Sequence, residues 1–251
     1  MEWVFKRGRC ITFKIYSTKE VADLTGVHPN TVRLYEEWGY ISKVKRGNNN
    51  YRQFTKIHIY QMKLARVALP GPYPMDGALV HELVKRFAAG DSETALELAR
   101  EYSSQVDSEK EKALDAINVL KKWFENDTGS KDKIVYLTRK SAAKNLNITT
   151  ETLRTWERNA LFKIKRGNNR RLLFTEWDIE KIKVIRLLRN CGYSIASLFN
   201  VFHNYDQNIK VSELLNLSKD NNEIFYDTDR YLEFLAEHKN RAEKIINLIK
   251  K

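Results

Sequence analysis

The chain has 251 residues, 42% of them apolar, 30% charged and 11% aromatic, with a net charge of +12. That length suits one large or two small domains, and the aromatic content argues against disorder. Two cysteines far apart, Cys10 and Cys191, with no Cys-x-x-Cys and no histidine cluster, argue against a disulfide framework or structural zinc. The basic excess is uneven. Residues 15–80 hold nine Lys and Arg against five Asp and Glu, whereas residues 134–202 hold fourteen against five. Such an excess is the footprint of a polyanion partner.

Residues 1–14 carry Val4, Phe5, Ile11 and Phe13 among basic residues, compatible with either a short strand or a loose basic arm. Charge interrupts this stretch, so it contains no signal peptide or membrane span, and reduced cytosol, with nucleoid association, is the expected setting. A first helix is predicted from Ser17 to about Thr25, with Ser17 and Glu20 as a capping box and Gly26 at the turn. His28 then caps a second helix with Pro29 at its first position. That helix presents Asn30, Thr31, Arg33 and Tyr35. A loop tip follows at Lys45, Arg46, Asn48 and Asn49, and Tyr51-Arg52-Gln53-Phe54 alternates as a strand. A third helix starts near Thr55 and breaks at Leu69-Pro-Gly-Pro; a short one is predicted from about Met75 to Phe87. Asp91 to Tyr102 is helical by propensity. Val106, Lys110, Ala113, Ile117, Leu120 and Phe124 then form a heptad seam with one polar member.

The second half repeats the first, shifted by 121 residues and by 120 after one deletion in the loop. Ile134 to Asn147 is predicted as helix one again, capped at Thr138, with Asn147 in the place of Gly26. Thr149 to Asn159 is the second recognition helix, offering Thr152, Arg154 and Trp156. Lys165, Arg166, Asn168, Asn169, Arg170 and Arg171 form the second basic loop. Helices follow from Thr175 to Asn190 and from Tyr193. A second seam runs through Tyr231, Leu235, His238, Ala242, Ile245 and Ile249. Trp38, Phe54, Phe162, Phe174 and Trp177 are expected in the core, Cys10 and Cys191 are expected to be inert, and His238 is read as a satisfied interface histidine.

The expected fold is therefore mainly α: two tandem winged helix-turn-helix domains, each followed by connecting helices and a long coiled-coil helix. The expected division is an arm at 1–14, a first domain at 15–104, a coiled-coil helix at 105–127, a linker at 128–133, a second domain at 134–226 and a second coiled-coil helix at 227–251. No Gly-rich phosphate loop and no nucleophile–base pair stands out, so neither an enzyme nor a cofactor is expected. The Arg residues and basic loops are expected to meet double-stranded DNA, the arginines at base edges or phosphates and the loops mainly at the backbone.

Thr31-Val-Arg-Leu-Tyr-Glu, Gly39-Tyr-Ile and Tyr51-Arg-Gln-Phe resemble the mercuric-resistance regulator (MerR) family of bacterial transcription factors. The second copy resembles it through Thr152-Leu-Arg-Thr-Trp-Glu, Leu161, the basic loop and Gly192-Tyr-Ser-Ile. The resemblance implies homodimers joined by an antiparallel coiled coil, acting with RNA polymerase at promoters by distorting DNA between two half-sites. It assigns DNA contacts to Thr31, Arg33, Tyr35 and Arg52, and to Thr152, Arg154 and Trp156, although Tyr35 and Trp156 could equally be core residues. Trp156 replaces the usual Tyr, and Arg171-Leu172 replaces the Tyr-Arg pair of the wing, so the two readers are expected to differ in preferred sequence. The family's metal-binding cysteines are missing, and no effector domain is expected after the coiled coil.

Two readers and two seams in one chain point to intramolecular coiled-coil pairing, a single-chain pseudo-dimer with both readers toward one side of an asymmetric operator. The rival is an ordinary homodimer with four readers. Alternative functions are an architectural or recombination-directing DNA binder, and a small-molecule sensor with a pocket enclosed by segments 69–105 and 190–226.

Overall fold

A computed structural model describes residues 2–6, 9–124, 134–167, 172–205 and 221–251. The expected linker at 128–133 lies outside them. The chain forms two compact units, Met1–Asp107 with Ala236–Lys251, and Ser108–Leu235. Each long helix thus contributes one half to each unit, a division the sequence does not suggest.

In the first unit, β1 (Glu2–Lys6) and β2 (Arg9–Phe13) form an antiparallel hairpin, so the strand alternative holds for the amino-terminal segment. α1 (Thr18–Thr25) begins at the expected Ser17–Glu20 capping box and ends on Gly26, which adopts φ +64°. α2 (Pro29–Glu37) begins where the His28 ring accepts the Asn30 N–H at 3.2 Å. Lys45 and Arg46 are in β3 (Lys45–Arg46), paired with β4 (Arg52–Gln53), so the basic tip is shorter than its composition suggests. Val21, Ala22, Val32, Ile41, Val44, Phe54 and Met62 make the core beneath. Trp38 is not part of it. It is 52% exposed and lies edge-on to Tyr40, because it caps the end of α2 rather than facing inward.

α3 (Lys56–Ala68) and α4 (Ala78–Ala88) carry a second apolar cluster. Leu64, Ala65, Ala68, Val80, Leu83 and Val84 pack there with the amino-terminal half of α5 (Ser92–Phe124) and the carboxyl-terminal half of α10 (Asn221–Ile249). A hydrogen bond of 2.5 Å between the Tyr102 hydroxyl and His238 Nδ1 fixes the register of these two helix halves. Lys239 adds bonds to Ser103 at 2.8 Å and Asp107 at 2.5 Å.

The second unit repeats the plan with one difference at its start. Ile134 to Leu137 is a strand, β5, not the first turn of a helix. Its β-branched and aromatic residues suit a strand, and it pairs with β7 (Leu172–Thr175), which also pairs with β6 (Lys165–Arg166). α6 (Arg139–Asn145) starts after the Thr138 cap, and Asn147 takes φ +52° as its substitution for Gly26 requires. α7 (Thr150–Arg158), α8 (Glu176–Asn190) and α9 (Ile195–Tyr205) follow. Phe162, Phe174 and Trp177 are buried with Leu153, Leu161 and Ile185. Burial pushes the Cys191 thiol up to about 12, which keeps it protonated and unreactive.

The seam on α5 needs correction. Lys110 is exposed, and the inward polar residue is Glu109, 3% exposed. The buried stripe reads Ala95, Ala99, Tyr102, Val106, Glu109, Ala113, Ala116, Leu120 and Trp123, stepping by four and three throughout. The expected stripe shares only Val106, Ala113 and Leu120 with it, besides Ile117, buried alongside; the Phe124 side chain lies outside the described ones. An acid at an inward position is tolerated because it is fully partnered. Glu109 accepts from Tyr231 at 2.8 Å and Asn190 at 3.0 Å, and pairs with Arg186. On α10 the expected seam is buried at all six positions, and Ile224 and Thr228 extend it.

Candidate nucleic-acid interface

Each recognition helix buries one apolar stripe and leaves another outward. In α2, Val32 is fully buried, whereas Asn30 and Arg33 are exposed. The Asn30 side-chain oxygen accepts from Arg33 at 2.7 Å, which holds the guanidinium along the helix surface. Thr31 is half-buried. Tyr35 is half-buried too, edge-on to Tyr40 with ring centroids 5.6 Å apart, and burial raises its hydroxyl pKa. Its ring therefore serves the core as much as any ligand.

In the wing, Lys45, Arg46, Asn48 and Asn49 are exposed, and Tyr51 is 74% exposed. Arg46 donates to the Asn50 carbonyl at 3.2 Å, and the Asn49 side chain accepts the Tyr51 N–H at 3.2 Å. These bonds shape the turn and leave its basic edge outward. Arg52, expected at DNA, also has a partner within the chain. Its Nε donates to Glu36 at 2.5 Å, and Glu36 also accepts the Val44 N–H at 3.2 Å. Arg52 is a strut between wing and recognition helix.

The second reader rewires that strut. Leu172 stands where Arg52 stood and is buried. Glu157, the counterpart of Glu36, takes Arg139 from the preceding helix instead, at 2.5 Å. Position 139 corresponds to Thr18 in the first copy, so the cation has changed element while the ion pair persists.

Trp156 is a correction. It is 5% exposed and packs among Leu153, Leu161 and Phe174, so no indole faces outward for phosphate. An indole is larger and more apolar than a phenol, and the helix turns that position inward. Thr152 is half-buried; its N–H donates to the Thr149 cap at 2.9 Å. Arg154 is exposed, as are Lys165 and Arg166. Asn168, Asn169, Arg170 and Arg171 lie outside the described residues, as do residues 206–220 of the segment expected to help enclose a sensor pocket. In the first unit, the region of the other such segment holds packed rings: Tyr73 lies 6.1 Å from both His81 and His238.

Residues missed from sequence complete the outward face of α7. Glu151, Arg154 and Arg158 form one stripe at positions i, i+3 and i+7. Glu151 lies 3.4 Å from Arg154 and 2.9 Å from Arg158. With Arg139, Glu157 and Arg166 they line a cleft of about 390 Å³. The signal was available: this stripe aligns with Asn30, Arg33 and Glu37, so only the central arginine is shared. Four cations and two anions suit recognition of a polyanion. Among the described residues no group of three or more His, Cys, Asp or Glu is placed to hold a metal, and no helix is long and apolar enough to cross a membrane.

Residues 17–54 match the MerR family regulatory protein model, and residues 137–204 match that of the MerR HTH family regulatory protein. The chain is also similar to the HTH-type transcriptional regulator CueR of Escherichia coli O6:H1 and of Escherichia coli O157:H7. Each is 37% identical over 49 residues, covering 20% of this chain and 36% of the relative. The chain thus spans about a third of the length of these curated relatives. No solved structure matches it significantly. The two matched regions coincide with the two helix-turn-helix and wing arrangements described above, so one polypeptide carries two separate regions that match MerR-type DNA-reading models.

Proposed function

We propose that this protein binds double-stranded DNA sequence-specifically and regulates transcription, acting as a single-chain pseudo-dimer on an asymmetric operator. Asn30, Arg33, Arg154 and the wing residues Lys45, Arg46, Asn48, Asn49, Tyr51, Lys165 and Arg166 supply the contacts, one reader to each half-site. The single observation behind the pseudo-dimer is the match between the two long helices. Moving every α5 seam residue from Ala95 to Leu120 by 129 positions lands on a buried α10 residue, from Ile224 to Ile249. Tyr102 maps to Tyr231 and Glu109 to His238, so each unit holds one tyrosine-centred polar layer.

Side-chain size supports pairing of unlike helices. Seven residues along from the Tyr102–His238 layer, Ala95 faces the position of Ile245. Seven along from Glu109–Tyr231, Ala116 faces that of Ile224. Small against large fills space well. A pair of α5 copies in the same register would set Ala95 against Ala116, leaving a gap; a pair of α10 copies would set Ile224 against Ile245, crowding the seam.

The functional test is selection from a randomised duplex library with the full chain, followed by binding of Arg33→Ala and Arg154→Ala. A two-part, non-palindromic site is expected, with each substitution costing about 1–3 kcal/mol at its own half-site. Failure to enrich any sequence, or equal affinity of both variants for every duplex, contradicts the proposal.

A further inference from the structure

We infer that Glu151 is a specificity-determining residue that makes the second reader demand a cytosine where the first reader, through Asn30, accepts adenine. The inference rests on the DNA-binding reading above and adds the base that one side chain selects. Glu151 and Asn30 occupy the same position of the two recognition helices, both exposed, both three residues before the shared arginine. Asn30 bonds Arg33 at 2.7 Å; Glu151 takes Arg154 on one carboxylate oxygen at 3.4 Å and Arg158 on the other at 2.9 Å.

A carboxylate is a costly group to bring against DNA. Phosphates repel it, and it can only accept hydrogen bonds. The second cation offsets the first difficulty. Glu37 of the first reader is replaced by Arg158, so the Glu151–Arg154–Arg158 stripe keeps a net positive charge despite the acid. The two guanidiniums also hold one carboxylate oxygen each while leaving the side chain 62% exposed.

The acceptor-only chemistry decides the base. In the major groove guanine and thymine offer carbonyl acceptors to an approaching side chain, which meet Glu151 acceptor to acceptor. Adenine offers an amino donor beside the N7 acceptor, a pair that suits the amide of Asn30. Cytosine offers its N4 amino donor with no acceptor on its own edge, which suits a carboxylate. Opposite guanine or thymine the carboxylate gives up water to meet an acceptor, a loss that Arg154 and Arg158 offset only in part, so the wrong base is penalised.

The experiment is position-by-position base preference from randomised duplexes, measured with the full chain for wild type, Glu151→Gln, Glu151→Asn and the reciprocal Asn30→Glu. Glu151 is exposed and its bonds are to exposed arginines, so these variants keep the fold. Wild type is expected to prefer cytosine at one position of one half-site by about 5- to 150-fold. Glu151→Asn and Glu151→Gln move that preference to adenine, and Asn30→Glu installs a cytosine preference in the other half-site. An unchanged preference at that position, or a uniform change in affinity across all sequences, overturns the inference. Loss of preference only at a neighbouring base, read by Arg154, also overturns it, because Glu151 would then merely position that arginine. If wild type enriches no sequence, the DNA-binding reading fails, an outcome distinct from all of these.

Discussion

Truncating Glu109 to alanine tests the packing of the second unit most severely. The carboxylate is 3% exposed and both oxygens are committed. One pairs with Arg186, whose side chain is 12% exposed; the other accepts from Tyr231 at 2.8 Å and Asn190 at 3.0 Å. Burial and the adjacent Glu109 charge both raise the Tyr231 pKa, so its hydroxyl stays protonated and donates. Glu109→Ala leaves a mostly buried guanidinium without its anion and two further donors short of an acceptor. Breaking one side of such a pair costs about 3–5 kcal/mol, a large share of a typical domain stability of roughly 5–15 kcal/mol. Glu109→Gln keeps the shape but turns an amide N–H₂ toward Arg186 or the other donors, costing about 2–3 kcal/mol. Glu109→Met with Arg186→Met removes both charges and is expected to cost less than Glu109→Ala alone. Urea unfolding of the three variants measures this. A loss below about 0.5 kcal/mol for Glu109→Ala, the size of a surface change, refutes the assignment of Glu109 to the seam.

Three further predictions concern other elements. Burial, and secondarily Arg241, hold the His238 pKa down at about 4, opposed by the Pro72 backbone. With the folded value below the unfolded one, the unfolded chain binds more protons between pH 4 and 6.5. His238 therefore costs no stability above about pH 6.5 and about 2 kcal/mol at pH 5. Unfolding at pH 7.5 and 5 should show this fall, reduced in His238→Gln; an equal fall in both proteins contradicts it. Ala160 stands where Gly39 stood and has φ +55°. Ala160→Gly should stabilise by about 1 kcal/mol and Gly39→Ala destabilise by a similar amount, read from thermal melts; no gain for Ala160→Gly rejects the strain. Arg52→Leu should cost about 1–3 kcal/mol by stranding Glu36, and adding Thr18→Arg should recover part of that loss by copying the Arg139–Glu157 arrangement. Equal stability with and without Thr18→Arg would count against the exchange of struts.

Much of the plan was legible because local chemistry and the repeat agreed. Ser17 with Glu20, His28 with Pro29 and Asn147 for Gly26 each state a cap or turn in residue type alone, and each lies where expected. The misreadings came where a tertiary partner overrode a local rule. Nothing local marks Glu109 as an inward residue, because its partners Arg186 and Tyr231 are 77 and 122 residues away. The Glu36 partner of Arg52 lies on the preceding helix, 16 residues away, and no local pattern announces it. Trp156 matches a DNA-contacting position of the family and equally suits a core; its bulk fills the core beneath α7. Ile134 to Leu137 was read as helix although its pairing partner, β7, comes about 38 residues later. In the candidate interface the repeated arginines carry a sequence signal of their own, whereas Glu151 and Arg158 stand out only against Asn30 and Glu37 at the matching positions of the first copy.

The most direct test of the pseudo-dimer is solution mass, by ultracentrifugation at micromolar concentration, alone and with a selected duplex. A single-chain pseudo-dimer sediments near the 29.5 kDa of one chain and binds one duplex one-to-one. A stable species of twice that mass, binding the duplex as two chains, would mean that at least one seam pairs between molecules and would contradict it.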